Sequence, residues 1–273
     1  MAPASHDDDG AAPWSAADYA RHSSLQEAMA SEVLALLNLA GDEKVLDIGC
    51  GDGRLSARIA DRLPRGEVVA VDASADMVAF AAAAFTGGAS GARSNLRFAV
   101  ADAAALTYRA EFDRVVSFNA LHWVPDQAPA LRGIAAALRA EGRAILRLVV
   151  KGSLISLEEI TESVRQSPRW GTRFEGFRDP YLRLTAGEYA VLAEAQGLRV
   201  LNQRTHGRAW DFKTDAAFFG FCKAGFGAWT RRLPDERRDG FVHDVIDAYR
   251  LAHASPTAQA NVFRFYQMDI TLA

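Results

Sequence analysis

The stretch Lys44-Val45-Leu46-Asp47-Ile48-Gly49-Cys50-Gly51-Asp52-Gly53-Arg54 decides the fold of this 273-residue chain. Val45, Leu46 and Ile48 form a short apolar run, with polar residues before it and glycines after it. That is the pattern of a buried strand in a parallel sheet. Gly49, Gly51 and Gly53 supply a tight turn without Cβ atoms, over which a ligand can lie directly against the backbone. Leu55, Ile59 and Leu63 follow at helical spacing, so the turn opens a helix whose first N–H groups favour negative charge. Strand, glycine turn and helix together make the ligand-binding half of a doubly wound α/β fold.

Two ligand classes use such a turn. A dinucleotide wants G-x-G-x-x-G, because its pyrophosphate sits on the helix start. Here the spacing is G-x-G-x-G, with Asp47 ahead of it and Asp52 inside it. Two carboxylates this close repel a pyrophosphate and suit a ligand carrying an ammonium and a sulfonium. The stretch resembles motif I of the class I S-adenosylmethionine (SAM)-dependent methyltransferases. A nicotinamide oxidoreductase is the competing enzyme class, and a SAM-binding protein without activity is a third reading.

Working outward, Val68 to Val71 reads as a second buried strand with Asp72 at its carboxyl end, 19 residues after Gly53. An acid there accepts two charge-assisted hydrogen bonds from a ribose cis-diol. The bland alternative is a helix-capping aspartate, a role open equally to Ser74 or Asp76. Met77 and Phe80 lie on the next helix. Leu96 to Val100 is a third strand, ending at Ala101-Asp102-Ala103, where Asp102 is placed to accept from an adenine amine. Phe112 to Phe118 is a fourth strand, running into Asn119-Ala120-Leu121-His122-Trp123. A helix with Leu131, Ile134, Ala135 and Leu138 on one face leads to a fifth strand over 143–150. Strands alternating with helices predict a parallel sheet.

Beyond Val150 the rhythm changes. Ser156 to Glu159 and Thr185 to Glu188 are capping-box patterns that start helices. Residues 167–183 read as an irregular lid. Leu198 to Thr205 is a strand, 210–253 is helical and rich in aromatics, and Val262 to Leu272 is a last strand. Residues 1–13 read as a disordered tail. Leu25, Met29, Val33, Leu36 and Leu37 form a helix closed by Gly41 that precedes the first strand.

The resemblance covers Lys44 to Val150 and implies a Rossmann-like, doubly wound seven-stranded sheet whose last strand is antiparallel. A helical cap then comes from insertions after strands 5 and 6. On this reading 14–273 is one domain, with cap segments 14–40, 151–183 and 210–255. The resemblance also implies site roles. Gly49 and Gly51 line the methionine part of SAM. Asp72 takes the ribose, and Asp47 and Ala73 also serve the cofactor. Met77, Asp102 and Ala103 border the adenine, and Asn119 lies beside the transferred methyl.

A second, narrower resemblance is to the carboxyl methyltransferases. Tyr19-Ala-Arg-His-Ser23-Ser24-Leu-Gln26 is similar to their Y-x-x-x-S-x-x-Q element, and Leu121-His122-Trp123 to their L-[HM]-W element. These are the plant salicylate/jasmonate and insect juvenile-hormone-acid types. The chain from Trp14 onward also resembles the trans-aconitate methyltransferase group. The resemblance implies that Tyr19 and Ser23 serve SAM, and that the Gln26 amide and Trp123 indole N–H hold a substrate carboxylate. The expected reaction is therefore O-methylation of a small-molecule carboxylic acid. The alternative is an N-, C- or hydroxyl-methyltransferase with His122 as base.

The bulk sequence excludes several classes. The net charge of −3 leaves no electrostatic footprint for nucleic acid. Two cysteines, Cys50 and Cys222, form neither a disulfide framework nor a metal-ligand spacing, so no metal is expected. No apolar run reaches the ~20 residues of a membrane span, and the acidic N-terminus lacks the pattern of a signal peptide. A cytoplasmic protein is expected. Oligomeric state is not legible in the pattern.

Overall fold

The structure is a computed structural model that describes residues 32–87, 93–179, 181–253 and 259–273. The predicted first strand, β1 (Lys44–Ile48), is the centre of a seven-stranded sheet. β2 (Glu67–Asp72) and β4 (Phe112–Phe118) flank it in parallel, and β3 (Leu96–Val100) lies outside β2. β5 (Leu138–Val150) pairs in parallel with β4. β7 (Val262–Leu272) then inserts antiparallel between β5 and β6 (Val200–Asp211). The order β3-β2-β1-β4-β5-β7-β6 reverses direction between β1 and β4. Ligands bind at that switch point, beyond the carboxyl ends of the strands.

Alternation along the strands sends side chains to two covered faces. From β1 and β2, Leu46, Ile48, Val69 and Val71 join one buried cluster with Leu131 and Ile134 of α3 (Gln127–Ala137) and Tyr189 of α5 (Ala186–Ala195). Val45, Val68 and Ala70 join the opposite cluster with Ala57 and Ile59 of α1 (Arg54–Ala60). Leu34 and Leu37 pack there too, carried by the helical residues 32–36 and the turn after them. The remainder of the predicted N-terminal helix, the tail 1–13, and Tyr19, Ser23 and Gln26 all lie outside the described residues.

A third cluster is aromatic and packs on the end of the sheet formed by Phe263 and Phe265 of β7. It joins α4 (Leu157–Arg165), α6 (Asp215–Gly225), α7 (Gly227–Thr230) and α8 (Asp235–Ala252) with Trp170, Phe174 and Tyr181. Its tryptophans bury their rings while the indole N–H groups find carboxylates. Trp229 Nε1 donates to Glu162 at 2.6 Å, and Trp170 Nε1 to Asp244 at 2.7 Å. Both capping boxes form, at Ser156/Glu159 and Thr185/Glu188.

Two expectations need correction. The helix before β5 stops at Ala137; Leu138 pairs with Phe112, and after a register shift Arg143 pairs with Arg114. The strand therefore starts at Leu138 rather than Arg143. β6 runs on to Asp211, and α6 begins only at Asp215. The reason is β7, which offers a template of 11 residues and pairs with β6 as far as Asp211↔Val262.

Candidate active site

The glycine turn is shaped by three positive φ angles, +75° at Gly49, +53° at Gly51 and +78° at Gly53. They serve different ends. A Cβ on Gly49 would lie 2.2 Å from the Cβ of Ala120, so Gly49 lets the turn after β4 close against the turn after β1. A Cβ on Gly53 would strike Phe98 and Ala81 at 2.7 Å. Over Gly51 nothing among the described residues lies within 4 Å of that position. Gly51 is therefore the member of the turn that leaves room for a ligand.

Asp72, at the end of β2, is held from two sides. Gly51 N–H donates to one carboxylate oxygen and Ser74 N–H to the other, each at 2.9 Å. Each oxygen keeps a lone pair for a further donor. The capping of α2 (Ala75–Phe85) falls to Ser74, whose hydroxyl accepts from Met77 N–H at 3.3 Å. That leaves Asp72 available for another role. Ala73 is exposed beside it, and Met77 is buried.

Asp47 points to the α1 face of β1, where it is buried and accepts from the Ser56 hydroxyl at 2.6 Å. Burial pushes its carboxyl up to about 6; Ser56 opposes this and the charge of Asp72 adds to it. A positively charged ligand relieves that strain. Burial likewise raises the Cys50 thiol, so it stays protonated and unreactive.

Asp102 is exposed, and one of its oxygens accepts from Ala104 N–H at 2.8 Å, at the start of the short turn Ala103–Ala105. Asn119 takes φ +57° directly after β4. Its N–H donates to the Arg147 carbonyl at 2.7 Å, and its side-chain oxygen accepts from Gln267 Nε2 at 3.1 Å. β5 and β7 thus jointly fix an unfavourable backbone conformation at the point where β4 ends. Arg147 is itself buried and bidentate to Asp269, with Glu32 as a further partner.

His122 and Trp123 follow in a single helical turn, Leu121–Trp123. The imidazole is buried, and Val149 N–H donates to its Nδ1 at 3.3 Å. Burial lowers its pKa to about 3. It is therefore a neutral ring with Nδ1 as acceptor and the proton on Nε2. The indole of Trp123 lies 5.8 Å from this ring, 5.1 Å from Tyr181 and 6.3 Å from Trp229, centroid to centroid.

Residues 45–142 match the model of a methyltransferase domain family. The chain is also 30% identical to the uncharacterized methyltransferase C70.08c of Schizosaccharomyces pombe, over 63% of this chain and 68% of that one. The chain belongs to the class I SAM-dependent methyltransferases. A trans-aconitate 2-methyltransferase of Methylobacterium radiotolerans is 35% identical over 44% of this chain and 43% of its own length. Among solved structures, a phosphoethanolamine N-methyltransferase 2 from Haemonchus contortus, in complex with phosphomonomethylethanolamine and S-adenosylhomocysteine, superposes with a TM-score of 0.61. It covers 94% of this chain and 57% of that one at 15% identity, a likeness of fold.

As a methyltransferase of this class, the protein uses SAM, and its residues fit that group. The space over Gly51 admits a ligand against the backbone. Asp72 has acceptor capacity to spare for ribose hydroxyls, and the carboxyl of Asp47 behind the turn suits a cationic ligand, whereas Asp52, the other carboxylate of the turn, is tied to Arg54. The dinucleotide reading is set aside.

The sequence pattern points to Asp47, the glycines, Asp72, Asp102, Asn119, His122 and Trp123, and the fold places them at the carboxyl ends of β1 to β4. It does not single out Ser56, Gln267 or Tyr181. Gln267 carried one signal, a polar residue continuing the inward alternation of Phe263 and Phe265. No helix among the described residues is long and apolar enough to cross a membrane.

Proposed function

We propose that this methyltransferase transfers the methyl group of SAM to a carboxylate oxygen of a small-molecule acid, giving a methyl ester and S-adenosylhomocysteine. The observation that carries the proposal is the hydrogen bond from Val149 N–H to Nδ1 of His122. A hydroxyl or protonated amine acceptor must lose a proton to react, which calls for a base. With Nδ1 occupied, Nε2 protonated and the pKa depressed to about 3, His122 is a donor and a poor base. A carboxylate is already ionised at pH 7 and needs only donors to orient it.

SAM supplies an activated methyl on a sulfonium. The chain holds the acceptor: the indole N–H of Trp123 and the Nε2–H of His122 are neutral donors that orient an anion while leaving it nucleophilic. Gln26 is assigned the same task from the sequence. Catalysis then rests on alignment and exclusion of water. The relative named trans-aconitate 2-methyltransferase acts, by its name, on a carboxylic acid, which supports this reading. The two free, buried cysteines are consistent with action in the cytoplasm. The cap is taken to comprise 14–40, 151–183 and 210–255. The test is kinetic: Gln26→Ala and Trp123→Ala are expected to raise the KM of an acid acceptor while leaving that of SAM unchanged. Unaltered turnover of the best acid in both variants overturns the proposal.

A further inference from the structure

Tyr181 lies in the irregular segment between α4 and α5, and the residue is 6% exposed. It completes a triangle of rings, 5.1 Å from His122 and 5.1 Å edge-on to Trp123. The backbone ties this segment to the site: Leu182 N–H donates to the His122 carbonyl at 3.0 Å, and Lys151 N–H to that of Leu184 at 2.8 Å. The ring is held on its other side as well. The Arg183 guanidinium stacks 5.3 Å from its centroid and is clamped by Asp179, whose carboxylate also accepts from Tyr181 N–H at 3.0 Å. The hydroxyl of this well-fixed ring is buried and meets no hydrogen-bond partner among the described residues. Leaving such a group unpaired is costly, so a rigid example beside a reaction centre asks for a ligand.

We infer that Tyr181 is a substrate-contacting residue, its hydroxyl donating to an oxygen of the methyl acceptor beside Trp123 and His122. The inference rests on the proposed carboxylate reading, in which that oxygen belongs to the acid. Burial, and after it the charge of Glu158, hold the phenol well above its usual pKa, so the proton remains available for donation. The aromatic neighbours further imply an acceptor whose polar group is attached to an apolar body.

The protein supplies its own control. Tyr189, on α5, also buries a hydroxyl without a partner among the described residues, but it does so in the sheet core. Acceptor KM, SAM KM and thermal midpoint are to be measured for the native protein, Tyr181→Phe and Tyr189→Phe. The probe acceptors are trans-aconitate, benzoate and decanoate, each beside its primary amide and alcohol, with labelled SAM as donor. Tyr181→Phe is expected to raise acceptor KM roughly tenfold, the loss of one hydrogen bond to an anion. SAM KM should not change, and the midpoint should hold or rise because an unpaired buried hydroxyl has been removed. Tyr189→Phe should leave both KM values at the native level.

Native acceptor KM in Tyr181→Phe overturns the inference while leaving the carboxylate reading intact. So does a fall in midpoint with equal losses for both substrates, the mark of a structural role. Turnover of the amides or alcohols alone, with Tyr181→Phe still impaired, overturns the carboxylate reading and keeps Tyr181 in contact with the acceptor. No turnover of any probe by the native protein overturns both.

Discussion

The backbone N–H of Val149 donates to Nδ1 of His122 at 3.3 Å, and this one contact decides what the histidine can do. It occupies the nitrogen that would accept a proton and leaves the other as a donor. With the pKa depressed to about 3, the ring is neutral throughout the working range. The acceptor-limited rate should therefore be flat from about pH 6 to about pH 9. A rise with an apparent pKa near 6.5 would place a histidine base in the reaction.

Replacing His122 by Phe removes the acceptor that Val149 N–H uses. The stranded amide should cost about 1–3 kcal/mol of stability, read as a lower denaturant midpoint at unchanged slope. Acceptor binding should weaken as well, since Nε2–H is lost. Full stability in this variant would mean that the contact is dispensable.

Asp47 links SAM binding to pH. Its folded-state pKa is raised from 3.8 to about 6, chiefly by burial. A raised carboxyl penalises the ionised form, so this contribution to stability is intact below about 3.8 and is lost as pH rises through about 6. The loss is about 3 kcal/mol at roughly 1.4 kcal/mol per unit. A cationic ligand favours the ionised form, so SAM affinity should improve as pH rises from about 5 to about 7 and level off above. Asp47→Asn should melt higher at neutral pH, bind SAM more weakly and lose the pH dependence. Calorimetric titration of both proteins across that range reads all three effects. A pH-independent native affinity would remove Asp47 from the SAM site.

The glycines separate folding from binding. At Gly51 an alanine meets none of the described residues and bears only the cost of φ +53°, about 1–2 kcal/mol. At Gly49 an alanine adds a contact at 2.2 Å with Ala120. Gly51→Ala should fold and fail to bind SAM, whereas Gly49→Ala should lose far more stability. Equal melting losses in the two variants would contradict the roles assigned to them.

Asp72 accepts from two backbone N–H groups, and an asparagine cannot, because one of its two polar ends is itself a donor. Asp72→Asn should therefore loosen the glycine turn and weaken SAM binding by at least tenfold. Native affinity in this variant would argue that the ribose is held elsewhere.

What the sequence revealed follows the range of the interactions concerned. β1, its glycine turn and the strand-end Asp72 were legible because apolar runs and turn residues act within a few positions. The capping boxes at Ser156/Glu159 and Thr185/Glu188 were legible for the same reason. The end of α3 was not, because Leu138 suits the helix face and only its pairing with Phe112 draws it into β5. The length of β6 depends on β7, about sixty residues later in the chain, and local propensity carries no trace of it. Tyr181 sits in a segment without periodicity, and its proximity to Trp123 is a product of the closed fold. The neutral state of His122 comes from burial in the closed fold, and the tautomer that leaves Nε2 as donor from a β5 amide that no motif contains.

The central claim is the identity of the acceptor atom. The protein, labelled SAM and a panel of small carboxylic acids should yield a product whose label is released as methanol by mild alkali, the behaviour of a methyl ester. Label that survives alkali, on nitrogen, carbon or an ether oxygen, would contradict it.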